Sequence, residues 1–124
     1  MLIIDDSKFQ RLAIQRALGH VGHEVITAGD GEEGLQAARE KLPEIIFLDM
    51  MLPKISGPDV LRAIRQDKAT KQIPVFVLTA LPERNRDRLT EDGASGYLEK
   101  SETLLQGNCE ALLQAIAQVR TNNS

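Results

Sequence analysis

The amino-acid sequence predicts an α/β fold, a doubly wound parallel sheet of five strands built as (βα)5. Short runs of continuous Ile, Val, Leu and Phe recur along the chain, as expected for parallel strands that are buried on both faces. Segments with helical spacing separate these runs, and such alternation favours right-handed crossovers with helices on both faces. The 124 residues suffice for one domain. We expect it to span residues 1–120, with a disordered tail at 121–124.

Five segments are predicted strands. Four of them are apolar runs, whereas the second in chain order alternates between apolar and polar residues and is typical of an edge strand. The predicted strands cover residues 2–4, 24–28, 45–48, 75–78 and 96–98.

The first two helices are predicted from apolar spacing and from capping residues. The first helix covers residues 7–18 and ends at Gly19. One face of this helix carries Phe9, Leu12, Ala13 and Ala17. In the second helix, Asp30 and Glu33 form a capping pair, and the helix runs through Lys41.

Three further helices are predicted. Pro58 suits the first turn of the third helix, which carries Leu61 and Ile64. A fourth helix over residues 83–92 has little apolar character. The fifth helix follows Asn108, a suitable N-cap. Its apolar stripe consists of Leu112, Leu113, Ile116 and Val119.

Composition excludes several classes of protein. The formal net charge of −3 argues against direct binding of nucleic acid, which requires a basic face. A single cysteine excludes a disulfide framework and a metal site built from several cysteines. No apolar run is long enough to cross a membrane, and the apolar start meets two aspartates at once, so we expect no membrane partner and no signal peptide. We therefore expect a cytoplasmic domain.

Polar residues follow the predicted strands at the points where the strands end. Because the carboxyl ends of parallel strands meet at one edge of the sheet, where ligands bind, we expect these side chains to lie close together. They are Asp5, Asp6, Asp49, Thr79, Glu99 and Lys100. Taken singly, Asp6 is more consistent with a turn or a helix cap than with a site. In the same way, Thr79 alone is more consistent with an ordinary strand residue and Lys100 alone with a surface position. Their joint placement is what favours a site.

Three carboxylates at one edge repel one another unless a cation neutralises them. Mg2+, or Mn2+ in its place, is the expected cation, because the ligands are oxygens and the cluster contains no His or Cys suited to Zn2+. A metal ion, a carboxylate nucleophile and a lysine together suit transfer of a phosphoryl group to an aspartate.

Four segments carry a resemblance to a known family. In chain order they are LIIDDS at 2–7, DMMLPKISG at 49–57, LTA at 78–80 and GASGYLEK at 93–100. With these segments the chain resembles the receiver domains of bacterial two-component response regulators, with a layout similar to that of the chemotaxis regulator. The resemblance implies the flavodoxin-like strand order 2-1-3-4-5.

The resemblance implies a phosphorylation-controlled signalling switch in a phosphorelay, which modifies itself and is not a turnover enzyme. It implies that Asp49 accepts a phosphoryl group from a histidine kinase or a phosphotransfer protein. The implied ligands of Mg2+ are Asp5, Asp6, Asp49 and the backbone carbonyl of Met51.

The resemblance also implies how the switch responds. Thr79, Ala80 and Lys100 bind the phosphoryl group, and Thr79 and Tyr97 change position with it. The surface that changes consists of the fourth helix, the fifth strand and the fifth helix. It controls an output protein or domain that the sequence leaves unknown, and dimerisation on phosphorylation is compatible with this arrangement.

Two features depart from the family pattern or refine it. Ser101 follows the lysine where the family usually has a cis proline, and residues 101–107 form a longer link into the last helix. At the positions that flank the path of the attacking water, Met51 and Leu81 are apolar and cannot orient that water. We therefore predict a long-lived aspartyl phosphate.

Other functions remain open at this point. A Mg2+-dependent phosphohydrolase with an aspartyl-phosphate intermediate is one, but a haloacid-dehalogenase-like enzyme has a second acid where this chain has Met51. A pseudo-receiver, which binds partners and never takes up phosphate, is another. The retention of all the site residues argues against it. A flavodoxin-like protein shares the fold, but three acids at the sheet edge would repel the phosphate of FMN.

Overall fold

The computed structural model describes residues 1–20, 22–50, 52, 55–79, 93–99 and 110–122. The strands are β1 (Leu2–Ile4), β2 (Ile26–Ala28), β3 (Ile46–Asp49), β4 (Val75–Thr79) and β5 (Gly96–Glu99). The helices of the described part are α1 (Lys8–His20), α2 (Gly31–Lys41), α3 (Gly57–Gln66) and α4 (Glu110–Asn122). Thus α4 is the helix predicted fifth from the sequence, whereas the predicted helix at 83–92 and the predicted cap Asn108 lie outside the described residues.

All five strands are parallel, in the order β2-β1-β3-β4-β5, which confirms the predicted fold class. Successive residues of the central strands alternate between two apolar layers. In β1, Leu2 and Ile4 pack into the layer with α2 and α3, and Ile3 packs into the layer with α1 and α4. The sheet is therefore covered on both faces, and polar side chains concentrate at its edges.

The capping pair predicted for α2 is confirmed. The Asp30 carboxylate accepts a hydrogen bond from the Glu33 N–H at 2.8 Å, and the Glu33 carboxylate accepts one from the Gly29 N–H at 3.0 Å. The helix ends at Leu42, which adopts a left-handed conformation with φ of 44° immediately before Pro43. Hydrogen-bonded N–H groups fix the amino end of the helix, and the proline after Leu42 fixes its carboxyl end.

The predicted interior faces of α3 and α4 are also confirmed. Leu61 and Ile64 of α3 are fully buried, and Ser56 caps this helix before Pro58. In α4, Leu112, Ile116 and Val119 are buried, and Leu113 is partly buried. The helix continues through Asn122, two residues past the predicted end of the domain at residue 120.

The predicted apolar face of α1 is wrong for three of its four residues. The Phe9 side chain is 80% exposed, and Leu12 and Ala13 are exposed as well, whereas Ala17 is partly buried. Ile14 and Leu18 are the residues of this helix that are buried against the sheet. These two branched side chains lie four residues apart and bury more apolar area than a stripe that contains two alanines, so they determine which side of the helix faces the sheet.

None of the helices in the described ranges combines the length and the apolarity needed to cross a bilayer.

Candidate functional site

The carboxyl edge of the sheet brings together four of the predicted site residues. Asp5 and Asp6 follow β1, Asp49 is the last residue of β3, and Thr79 is the last residue of β4. Because β1, β3 and β4 are neighbours in the sheet, these residues lie side by side although they are far apart in the chain. Asp5, Asp49 and Thr79 are buried, and Asp6 is exposed.

Three carboxylates form the centre of this site. One oxygen each of Asp5, Asp6 and Asp49 lies within 4.8 Å of the other two. Like charges at this separation repel, and Asp5 and Asp49 are shielded from water. Binding of a cation at this site is therefore favoured. A set of oxygen donors without His or Cys fits Mg2+ or Mn2+ rather than Zn2+. The exposed Asp6 lies on the side from which an ion arrives from solution.

Asp5 is held in place by contacts of its own backbone and side chain. Its N–H donates to the Ala28 carbonyl at 3.0 Å, and its carboxylate accepts a hydrogen bond from the Ser7 N–H at 2.9 Å. The Arg11 guanidinium donates to the Asp5 carbonyl at 2.6 Å. Such supporting contacts fix the direction in which a metal-binding carboxylate points. Arg11 was not predicted as a site residue, although its position one helical turn after Ser7 places it near the end of β1.

The start of α3 lies against the end of β3, at Gly57 and Met50. The Met50 N–H donates to the Leu78 carbonyl at 3.0 Å, and the Gly57 N–H donates to the Met50 carbonyl at 3.1 Å. A Cβ atom at position 57 would lie 2.6 Å from the Met50 Cα and 2.8 Å from the Asp49 carbonyl oxygen. Both are backbone atoms that cannot rotate away, so only glycine fits. In the sequence, the glycine at the start of α3 is the residue that indicates this close contact between two backbone segments.

Thr79 and Tyr97 lie on neighbouring strands. Tyr97 is opposite Val77 in the register of β4 and β5, and Thr79 is two residues beyond Val77. Because side chains two residues apart in a strand point to the same face, Thr79 and Val77 share the face on which Tyr97 packs. Tyr97 is half-buried against the apolar layer that contains Val77. A change at Thr79 therefore has a short path to Tyr97.

Several predicted site residues lie outside the described residues. They are Met51, Ala80, Leu81 and Lys100, together with Ser101. Lys100 directly follows Glu99, the last residue of β5, and Ala80 directly follows Thr79.

The chain is similar in sequence to a large class of known proteins. A family model described as "Response regulator receiver domain" matches residues 1–116. The transcriptional regulatory protein AfsQ1 of Streptomyces coelicolor is 42% identical over 104 residues, which are 81% of this chain and 44% of AfsQ1. The chain spans about half the length of the curated relatives it matches.

Solved structures are similar as well. The chemotaxis protein CheY4 of Vibrio cholerae has a TM-score of 0.82 and 31% sequence identity, with 95% of each chain covered. The receiver domain of the sensor histidine kinase PA1611 of Pseudomonas aeruginosa has a TM-score of 0.73 and 26% identity, over 80% of this chain and 82% of that one. That structure was determined with a magnesium ion coordinated in the active site cleft.

Proposed function

Because the chain belongs to the receiver domain family of response regulators, we propose that it is a phosphorylation-controlled switch whose phosphoacceptor is Asp49. One observation carries the choice of site: the carboxylate oxygens of Asp5, Asp6 and Asp49 lie within 4.8 Å of one another at the sheet edge, beside Thr79. Repulsion within a cluster of this kind destabilises the fold unless a cation neutralises it. A cation bound here would lie next to a phosphoryl group that is being transferred, and could stabilise its charge as well.

The chemical step is transfer of a phosphoryl group to Asp49. A carboxylate oxygen of Asp49 forms a bond to phosphorus as the bond from phosphorus to the imidazole nitrogen of the donor histidine breaks, and the imidazole keeps the electron pair. A bound Mg2+ neutralises charge on the phosphoryl oxygens during this step. The buried position of Asp49 excludes bulk water and holds the nucleophile at a fixed place.

The remaining residues divide between holding the cation and sensing the phosphoryl group. Asp5, Asp6, Asp49 and the Met51 carbonyl would hold Mg2+, and the contacts of Ser7 and Arg11 hold Asp5 in position.

Thr79, Ala80 and Lys100 bind the phosphoryl oxygens. The added negative charge attracts the Thr79 hydroxyl, and Tyr97 follows because it packs on the same face of the sheet.

The partners follow from the same proposal. A histidine kinase or a phosphotransfer protein supplies the phosphoryl group in the cytoplasm. The changed surface consists of the predicted fourth helix at 83–92, β5 and α4. It controls an output protein or an attached output domain, with dimerisation of the phosphorylated form as one mode. Apolar side chains at Met51 and Leu81 leave the attacking water unoriented, so the aspartyl phosphate is long-lived. Residues 1–120 form the body of the receiver, and α4 continues through Asn122.

Intact-mass spectrometry after incubation with acetyl phosphate tests the proposal. We expect one phosphoryl adduct on the native chain with Mg2+ and none when the Mg2+ is chelated. The variant Asp49→Asn should show no adduct. Asp59→Asn is the matched control, because Asp59 lies on the exposed side of α3 and pairs with Arg62.

Three outcomes contradict the proposal. An adduct that persists in Asp49→Asn would place the phosphoacceptor elsewhere. No adduct on the native chain, together with no binding of beryllofluoride and no transfer from a kinase, would favour the pseudo-receiver. Steady release of phosphate from a small phosphate ester would favour the phosphohydrolase. Decay of the adduct over time measures its lifetime directly.

A further inference from the structure

The opposite edge of the sheet contains a charged side chain that the proposed chemistry does not use. Arg65 lies in the last turn of α3 and is half-buried. Its Nε donates to the Gly93 carbonyl at 2.8 Å, and its Nη1 donates to the carbonyls of Lys71 and Ile73 at 3.0 and 2.6 Å. Its Nη2 donates to the Ser95 hydroxyl at 3.4 Å. One guanidinium thus joins α3 to two separate turns.

Among the described residues, the acceptors around Arg65 are backbone carbonyls and one hydroxyl rather than carboxylates. The ion pairs of the described residues do not include it. Burial lowers the pKa of the Arg65 guanidinium from its ordinary value, and the cost of burying the charge is offset by hydrogen bonds to carbonyl groups. A side chain held in this way is fixed in position, since four of its five N–H groups donate to four separate acceptors.

The turn before β5 is shaped to fit this side chain. Gly93 has a φ of +101°, and a Cβ atom there would lie 2.8 Å from the Arg65 Cγ. Ser95 then joins the two strands at their amino ends: its N–H donates to the Val75 carbonyl at 2.8 Å, and its hydroxyl accepts from the Val75 N–H at 3.1 Å. Arg65, Ser95 and Val75 therefore form one connected network.

The two strands that begin at this network end at the proposed switch. β4 begins at Val75 and ends at Thr79, a distance of about 13 Å along the strand. β5 carries Tyr97 only two residues after Ser95, and Lys100 follows its end. The lateral position of β5 against β4 decides how Tyr97 lies relative to Thr79. The contacts of Arg65 act on the starting points of both strands.

We propose that Arg65 is a positioning residue of the switch, which fixes the amino ends of β4 and β5 to α3 and thereby sets the position of Tyr97 relative to Thr79. The amino ends stay fixed while the carboxyl ends respond to the phosphoryl group, so movement at Thr79 reaches Tyr97 instead of being lost in a shift of the whole strand. This inference rests on the proposed function for its consequence, and on the contacts of Arg65 for its geometry.

Tyr97 itself is the probe. It is the only tyrosine, and the chain contains no tryptophan, so tyrosine fluorescence of the intact protein reports on this residue alone. Quenching of this fluorescence by acrylamide measures how accessible Tyr97 is. In Arg65→Ala we expect the quenching constant of the unphosphorylated protein to rise by about twofold, because the start of β5 is released. The fluorescence change on phosphorylation with acetyl phosphate and Mg2+ should fall to about half of the native change or less.

Three further variants separate positioning from general loss of stability. Arg65→Lys keeps the charge but offers fewer simultaneous contacts, so its quenching constant should lie between those of native protein and Arg65→Ala. Arg62→Ala, one turn earlier on the exposed side of α3, should behave as the native protein does. Ile14→Ala lowers stability in α1, which contacts β2 at the other side of the sheet from β5 and lies in the apolar layer opposite to that of Tyr97, so it should leave the quenching of Tyr97 unchanged.

The proposal is overturned if folded Arg65→Ala shows native quenching, or if Ile14→Ala raises quenching as much as Arg65→Ala does. Should Arg65→Ala fail to fold, Ser95→Ala replaces it: Ser95 is exposed, and its hydroxyl contacts both Arg65 and Val75, so unchanged quenching in this variant also overturns the proposal. If the native chain takes up no phosphoryl group, the proposed function fails. The quenching of the unphosphorylated variants still decides the role of Arg65.

Discussion

The two edges of the sheet carry opposite arrangements of charge. At the carboxyl edge, Asp5, Asp6 and Asp49 bring three like charges within 4.8 Å. At the amino edge, charged groups of the described residues have partners: Arg65 donates to carbonyl oxygens, and Arg120 of α4 pairs with Glu44, just before β3, at 3.0 Å.

The same strands therefore connect an edge at which like charges repel one another to an edge at which charged side chains are paired or hydrogen-bonded. This contrast suits a protein that responds to a bound cation or phosphoryl group. A ligand shifts an equilibrium between two states only by the difference in its affinity for them, and clustered carboxylates provide such a difference for a cation.

The largest expected effect comes from breaking the backbone approach that shapes the carboxyl edge. In Gly57→Ala the new Cβ would lie 2.6 Å from the Met50 Cα, so the segment after Asp49 must move. We expect the free energy of unfolding to fall by about 3 kcal/mol, as for an overpacked position with no flexible neighbour. Urea denaturation followed by circular dichroism measures this change.

The matched control for that variant is Gly19→Ala. Position 19 is also helical, but nothing lies within 4 Å of a Cβ atom there. This variant should raise the free energy of unfolding by about 0.5 kcal/mol, because alanine favours helix more than glycine does. Equal stabilities of Gly57→Ala and native protein would mean that the backbone approach at the carboxyl edge is not tight.

A smaller effect, with a sign that depends on Mg2+, is expected for Asp6→Asn. Without Mg2+ this exposed residue contributes only repulsion to the cluster, so the variant should unfold with a free energy about 1 kcal/mol higher than native protein. Mg2+ should raise the Tm of native protein and raise that of the variant much less. Thermal unfolding in EDTA and in MgCl2 compares the two proteins. If Mg2+ raised both Tm values by the same amount, the cation would be binding somewhere other than this cluster.

The smallest effect is expected at the amino edge, for Glu44→Gln. The hydrogen bond from Arg120 lowers the pKa of the Glu44 carboxyl from its ordinary value. Because the pKa of Glu44 is lower in the folded state, the ion pair stabilises the protein at pH values above the ordinary pKa of the carboxyl. This contribution is lost as the pH falls through the pKa of the folded state. The pair is exposed, so only a small fall in Tm is expected at pH 7.

Thermal unfolding over a pH series checks this prediction. The Tm values of native protein and Glu44→Gln should converge as the pH falls below 4.5, the ordinary pKa of the carboxyl. Added salt should reduce the difference at pH 7, since surface charges are screened. A difference between the two proteins that stays constant from pH 7 to acid would assign the effect to packing rather than to the ion pair.

The face of α1 shows where sequence periodicity reached its limit. Phe9 and Leu12 share a stripe by spacing, and so do Ile14 and Leu18, so the sequence of the helix alone leaves the buried side undecided. The structure buries Ile14 and Leu18 and leaves Phe9 exposed. In α2 the outcome was different, because Asp30 and Glu33 contact backbone groups within four residues, and such local contacts follow from sequence alone.

The sequence by itself determined the order of strands and helices and the residues that end each strand. Apolar runs separated by helical segments can bury both faces of a sheet only as parallel strands, and this places Asp5, Asp49 and Thr79 at one edge. Tertiary structure decided what depends on contacts between distant residues: the separation of the carboxylates, the close approach of Gly57 to Met50, and the turns that Arg65 joins. These depend on side-chain directions and packing distances across elements, which no local pattern contains.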